Sequence, residues 1–210
     1  MGRSLSAELL RRGHTVRALV RAGSENRAAA GCEIVTGTPL DASSYRHRVP
    51  GCDTFVQLVG VAHPSPAKAA QFRTIDLASA RAAVEAAAAA PVRHFVYVSV
   101  AHPAPVMRDY IAARTEAEET IRAAGLNATI LRPWYVLGPG RRWPLLLAPL
   151  YWLFERLPAT SQSARRLGLV TLPQMVAALA RAVETPPQGI RVLEVPDIRS
   201  TVAAAAASVR

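Results

Sequence analysis

The sequence predicts a doubly wound, parallel α/β sheet followed by a small C-terminal lobe. Short β-branched segments at 15–20, 33–36, 53–59, 94–100 and 129–132 alternate with helical patterns, as repeated strand–helix–strand units do. The segment 94–100 (HFVYVSV) is almost continuously β-branched and aromatic, as in a strand buried on both faces of a parallel sheet. The chain has 210 residues, 50% of them apolar and only 19% charged, which is enough to fill one core.

The elements follow in order. Residues 5–12 form an amphipathic run stopped by Gly13, and 15–20 (TVRALV) is a strand. A short helical turn near 26–30 leads to a second strand at 33–36 (EIVT), and the third, 53–59 (DTFVQLV), is closed by Gly60. Residues 67–90 are Ala-rich enough to favour one long helix, which Pro91 stops. After the strand at 94–100, residues 110–124 place Ile111, Ala117 and Ile121 at helical positions before Gly125. A strand at 129–132 ends at Pro133. Beyond Pro139 the pattern weakens to a helix at 172–184, a strand at 191–195 and an alanine tail at 203–207. The expected division is therefore a domain over 1–140 and a dependent lobe over 141–200.

Net charge is +10, yet Lys68 is the only lysine, and the arginines are scattered without any block of like charge. Nucleic-acid binding needs clustering and is not expected. Two cysteines, Cys32 and Cys52, are too few for a disulfide framework, and a reducing cytoplasm is the expected location. No signal-peptide pattern is present at the start of the sequence. The apolar stretch 143–154 is shorter than the ~20 residues a spanning helix needs. It reads either as a buried helix or pocket wall, or as a peripheral membrane-contacting segment flanked by Arg141, Arg142 and Arg156. His63, His94 and His102 lack metal-ligand spacing, so no metal is expected, and His94 reads as structural. Asp76, after Phe72 in the long helix, reads as part of a solvated face.

Three segments together resemble the extended and atypical short-chain dehydrogenase/reductases, of the NmrA-like and NAD-dependent epimerase/dehydratase-like kind. Residues 2–21 resemble the family's first helix and second strand, 95–100 the strand that carries the catalytic serine, and 131–140 (LRPWYVLGPG) the segment under the nicotinamide. The resemblance runs over about 2–195 and implies a Rossmann-like fold. The family opens with a strand and a G-x-x-G-x-x-G turn, whose N–H groups and following helix hold a pyrophosphate. Gly2 takes the place of the last glycine, so an N-terminally truncated sheet lacking its first strand is expected.

The resemblance also implies the site. Where the family carries an acidic residue for the ribose 2′-hydroxyl, this chain has Arg21, which suits a 2′-phosphate and implies NADP in preference to NAD. Thr38 replaces the family's acidic residue near the adenine, while Leu58, Gly60, Val61 and Val98 are expected to line the cofactor. Pro133, Trp134 and Tyr135 are expected below the nicotinamide. Tyr110 and Arg114 occupy the spacing of the family's Y-x-x-x-K, with Ser99 expected to hydrogen-bond the substrate oxygen. Four residues on a helix put both side chains on one face, and a phenol needs such a neighbouring cation to work as an acid–base group near neutral pH. The expected function is that of an NADP-dependent oxidoreductase or epimerase/dehydratase. The alternative is a non-catalytic NAD(P)H-sensing or assembly protein, favoured by arginine in place of lysine and by the apolar 143–154 stretch.

Overall fold

The computed structural model describes residues 1–104, 106–138 and 167–207. The stretch 143–154 and its flanking arginines lie outside the described residues, as do 139–142. Strands β1 (Arg17–Val20) and β2 (Glu33–Thr36) pair in parallel, with Ala18 opposite Ile34. A second parallel sheet has the order β3 (Thr54–Gln57), β4 (His94–Val98), β5 (Ala128–Leu131) and β8 (Ile190–Leu193). Its register sets Val96 opposite Val56 on one side and Thr129 on the other. Among the described residues no ladder joins β1 to β3. Strands β6 (Tyr135–Leu137) and β7 (Leu169–Thr171) form a small parallel pair of their own.

Alternation along β4 divides the core into two layers, because successive side chains in a strand point to opposite faces. Phe95 and Tyr97 pack with Phe72, Leu77, Ala83, Ala117 and Ile121 on one face. Val96 packs on the other with Leu5 and Leu9 of α1 (Gly2–Arg11), and with Met175 and Leu179 of α5 (Leu172–Glu184). Phe95, Val96 and Tyr97 are all fully buried, each burial being worth about 1.5–3 kcal/mol. Helices thus cover both faces, which requires the apolar strand that the sequence shows. Helix α5 starts at a capping box in which the Thr171 side chain accepts from Gln174 N and the Gln174 side chain accepts from Thr171 N. Strand β8 extends the main sheet beside β5, so the described part of the expected 141–200 lobe shares the core of the rest. The alanine tail at 203–207 continues helix α6 (Val195–Ala207).

The expected long helix over 67–90 is broken into pieces. A 3₁₀ turn (Pro66–Lys68) and the short α2 (Ala69–Gln71) lead into a π-helical segment, Phe72–Leu77, before α3 (Ala78–Ala88). The wider π turn shifts the helical phase, and Asp76 is buried beside Phe72 and Leu77 instead of facing water. This corrects the solvated-face expectation for Asp76. Helix α4 (Arg108–Ala123) covers the same face and buries Ala113, Ala117 and Ile121.

His94 opens β4 fully buried, with Nε2 3.0 Å from Thr129 Oγ1. The Arg191 guanidinium donates to that same oxygen, which leaves the threonine proton for the imidazole. Burial, then the charge of Arg191, pulls the imidazole down to about 4. A base that is depressed in the folded state stabilises the fold fully only above its unfolded value, and the stability falls as the unfolded chain takes up a proton first. Denaturant unfolding is therefore expected to show a loss on the order of 3 kcal/mol between pH ~6.5 and ~4 from this group. His94→Asn should flatten that slope, and an unchanged slope would remove His94 as its source.

Candidate functional site

The carboxyl ends of β3 and β4 carry a buried polar cluster. Arg114 reaches up from α4, its side chain 6% exposed, and Nη2 donates to Asp76 Oδ1 at 2.5 Å. Nη1 donates to Val98 O at 2.8 Å and Tyr97 Oη at 3.2 Å, so one guanidinium joins the helix, the π segment and β4. The other Asp76 oxygen accepts from Val61 N at 2.9 Å, which fixes the loop after β3. Burial pushes the Asp76 carboxyl above its ordinary value, against the pull of Arg114 and the Val61 N–H. The Tyr97 phenol is pushed up to about 12, again by burial. A Cβ on Gly60 would collide with Arg114 Nη2 and crowd Asp76, so the loop can pass here only as glycine.

Tyr110 stands one turn before Arg114. Its ring centroid lies 5.0 Å from that of Phe72 and 5.2 Å from the Arg114 guanidinium carbon. The cation thus sits over the ring, and its printed hydrogen bonds go to Tyr97, Val98 and Asp76. Sequence spacing brought Tyr110 and Arg114 together correctly, while Asp76 was missed. Its only signal was an acid among apolar neighbours in an otherwise Ala-rich helix.

Ser99 belongs to a second cluster. Its hydroxyl donates to Glu118 Oε1 at 2.7 Å, and Glu118 lies eight residues, or ~12 Å of helix, beyond Tyr110. Arg132 forks onto the same carboxylate with Nε at 2.9 Å and Nη2 at 2.6 Å, and Arg122 adds a third cation contact at 3.0 Å. Arg132 also reaches Glu194 after β8 at 3.1 Å. Burial alone would raise the Glu118 carboxyl, but the bonds from Arg132, Ser99 and Arg122 outweigh it and hold it below the usual carboxylate range. The expectation that the Ser99 hydroxyl turns to a substrate oxygen meets this competing bond: Ser99 is only 2% exposed and its proton goes to Glu118.

The remaining expected residues ring the same edge. Leu58, Gly60 and Val61 follow β3, Val98 ends β4, and Pro133, Trp134 and Tyr135 follow β5, with Trp134 and Tyr135 edge to face at 5.9 Å. Arg21 is exposed just after β1. Thr38 lies after β2, its N–H bound to Ser44 Oγ at 3.0 Å. Gly2 opens α1, whose N-terminus has no side-chain cap and no acidic residue in its first turn. Among the described residues no group of His, Cys, Asp and Glu could hold a metal ion, and no helix is long and apolar enough to cross a membrane.

A doubly wound parallel sheet with its polar clusters at the carboxyl ends of the strands is the dinucleotide-binding class of fold. Residues 1–141 match the NAD(P)H-binding family, and the chain belongs to that family; solved structures of like fold include short-chain dehydrogenase/reductase and epimerase-like proteins. It is 30% identical over 167 residues to a ceramide reductase of Caulobacter vibrioides (strain NA1000 / CB15N), a match covering 80% of this chain and 51% of that protein. It is 31% identical over 134 residues to YhfK of Bacillus subtilis (strain 168), an uncharacterized sugar epimerase, covering 57% and 59%. The chain thus spans between half and three fifths of these curated relatives. A short-chain dehydrogenase/reductase superfamily protein from Agrobacterium tumefaciens, solved with bound NAD, superposes with a TM-score of 0.66 at 19% identity, over 97% of this chain and 79% of that one.

The residues present fit such a dinucleotide. The uncapped N–H groups of α1 suit a pyrophosphate, and Arg114 Nε is buried with no hydrogen-bond partner, a donor left over for a ligand oxygen.

Proposed function

We propose that this protein is an NADP-dependent reductase of hydroxylated carbonyl compounds, with keto-ceramides as the first class to test. The observation that carries this reading is the buried Arg114 clasped under Tyr110 at the carboxyl ends of β3 and β4, with Nε unpartnered. When bound, the nicotinamide supplies the hydride chemistry. Tyr110 then moves the proton at the substrate oxygen, and Arg114 biases the phenol electrostatically and offers Nε to the ligand. Asp76 and Tyr97 keep that guanidinium in place. The ceramide reductase relative supports the substrate class, as does the apolar 143–154 stretch between arginines, whose sequence suits a lipid-like substrate at a membrane surface. The sugar epimerase relative makes nucleotide sugars the second class, since the same proton and hydride steps serve epimerisation.

The test is NADPH consumption with a short-acyl 3-ketoceramide, and conversion of UDP-glucose, by the purified protein. Turnover of the ketone supports the proposal. NADPH binding without turnover of either would leave the sensing alternative, which the commitment of every Arg114 Nη contact to protein groups favours.

Arg21 is the proposed 2′-phosphate ligand. Arg21→Ala should weaken NADPH binding ~10- to 100-fold, the worth of one charge-assisted hydrogen bond, and leave NADH within about twofold. Fluorescence titration with both nucleotides checks this, and equal losses for both would assign Arg21 elsewhere.

A further inference from the structure

We propose that His102 is a substrate-contacting residue, positioned by Glu118, whose Nδ1 accepts a hydrogen bond from a substrate hydroxyl beside the reacting carbonyl. This deepens, and rests on, the reading of the protein as a reductase of hydroxylated carbonyl compounds. His102 lies four residues beyond the end of β4, on the loop that leaves the carboxyl edge of the main sheet for α4. Ligands of open parallel sheets bind along that edge.

The polar side chains before it are already used. The Ser99 hydroxyl gives its proton to Glu118, and Val100 and Ala101, both buried, carry no polar side-chain atom. His102 is the next, with its side chain 21% exposed. Its two nitrogens face different surroundings. Nε2 is buried without a hydrogen bond, 3.6 Å from Glu118 Oε1, whereas Nδ1 is not among the buried unpartnered atoms. A carboxylate on the Nε2 side favours the tautomer that carries its proton there, which leaves Nδ1 as an acceptor on the open side.

Among the described residues Glu118 on α4 faces this ring, held in turn by Arg122 on α4 and by Arg132 after β5, which also reaches Glu194 after β8. Arg132 and Arg122 hold Glu118 ionised and in place, so the carboxylate acts on His102 as a fixed charge. A ring nitrogen that accepts at the sheet edge suits a hydroxyl better than an anion. A keto-ceramide offers such a group in its primary hydroxyl.

The test compares a short-acyl 3-ketoceramide with its 1-deoxy analogue in the NADPH-consumption assay, for the wild type, His102→Leu and His102→Asn. His102→Leu is expected to raise KM for the hydroxylated ketone ~10- to 100-fold, keep kcat within about twofold, and leave the 1-deoxy analogue unchanged. His102→Asn, whose amide oxygen can stand near the Nδ1 position, should restore most of the KM. Should His102→Leu fail to fold, as judged by its melting temperature, His102→Ala replaces it and is read in the same way. An unchanged His102→Leu, or an equal loss on both ketones, overturns the role of His102. If Tyr110→Phe still abolishes turnover in that case, the reductase reading stands alone. A wild type that binds NADPH and reduces neither ketone overturns both.

Discussion

Asp76→Ala is expected to destabilise the protein by about 3–5 kcal/mol, the range measured when one partner of a buried ion pair is removed. That is a large part of the ~5–15 kcal/mol that holds a typical domain together. The size follows from what stays behind. Arg114 would keep Tyr97 Oη and Val98 O as acceptors but lose the Asp76 anion in a site where its side chain is 6% exposed, and Nε already has no partner among the described residues. Val61 N would lose its acceptor in the same step. Asp76→Asn keeps an oxygen for Val61 and should cost less. The double variant Asp76→Leu/Arg114→Met removes both charges and should recover most of the loss, because an apolar pair of similar volume avoids desolvating two ions. As a control, Glu33→Gln at the exposed cluster with Arg17 and Arg48 should change stability far less. Urea unfolding measures all four. A shift for Asp76→Ala no larger than the control would mean that Arg114 reaches water once its partner is gone.

The same pair shows what could and could not be read from the sequence. Strand β4 was legible because both its faces are buried, which leaves an unbroken apolar run, and 33–36 was placed without error because β-branched residues sit between Gly31 and Gly37. The facing of Tyr110 and Arg114 was legible because helical spacing alone decides it. Asp76 was not, since its direction depends on a π turn that shifts the phase of an Ala-rich helix, and composition does not signal such a turn. Nor was the partner of Ser99, because Glu118 meets Ser99 and Arg132 only after α4 packs across β4 and β5. The place of β8 in the main sheet was hidden for the same reason: a four-residue strand says nothing of which neighbour it will pair with.

Tyr110→Phe is expected to lower kcat for ketone reduction by ~10²- to 10⁴-fold, the usual worth of a positioned acid–base group, with NADPH affinity within about twofold of the wild type. The structure makes this a clean substitution. The Tyr110 ring packs on Phe72 at 5.0 Å and under the Arg114 guanidinium at 5.2 Å, and phenylalanine keeps both contacts. The hydrogen bonds that hold Arg114 run to Asp76, Tyr97 and Val98, so removing the hydroxyl leaves the cation in place. A loss of turnover with normal melting temperature and normal NADPH titration therefore reports the hydroxyl alone. A fall in kcat and kcat/KM together would assign it to the transition state, whereas a rise in KM alone would make it a binding group. An unchanged kcat would take Tyr110 out of the chemistry and leave its ring as a lid over a structural ion pair, the arrangement a protein that binds the nucleotide without turning it over would need.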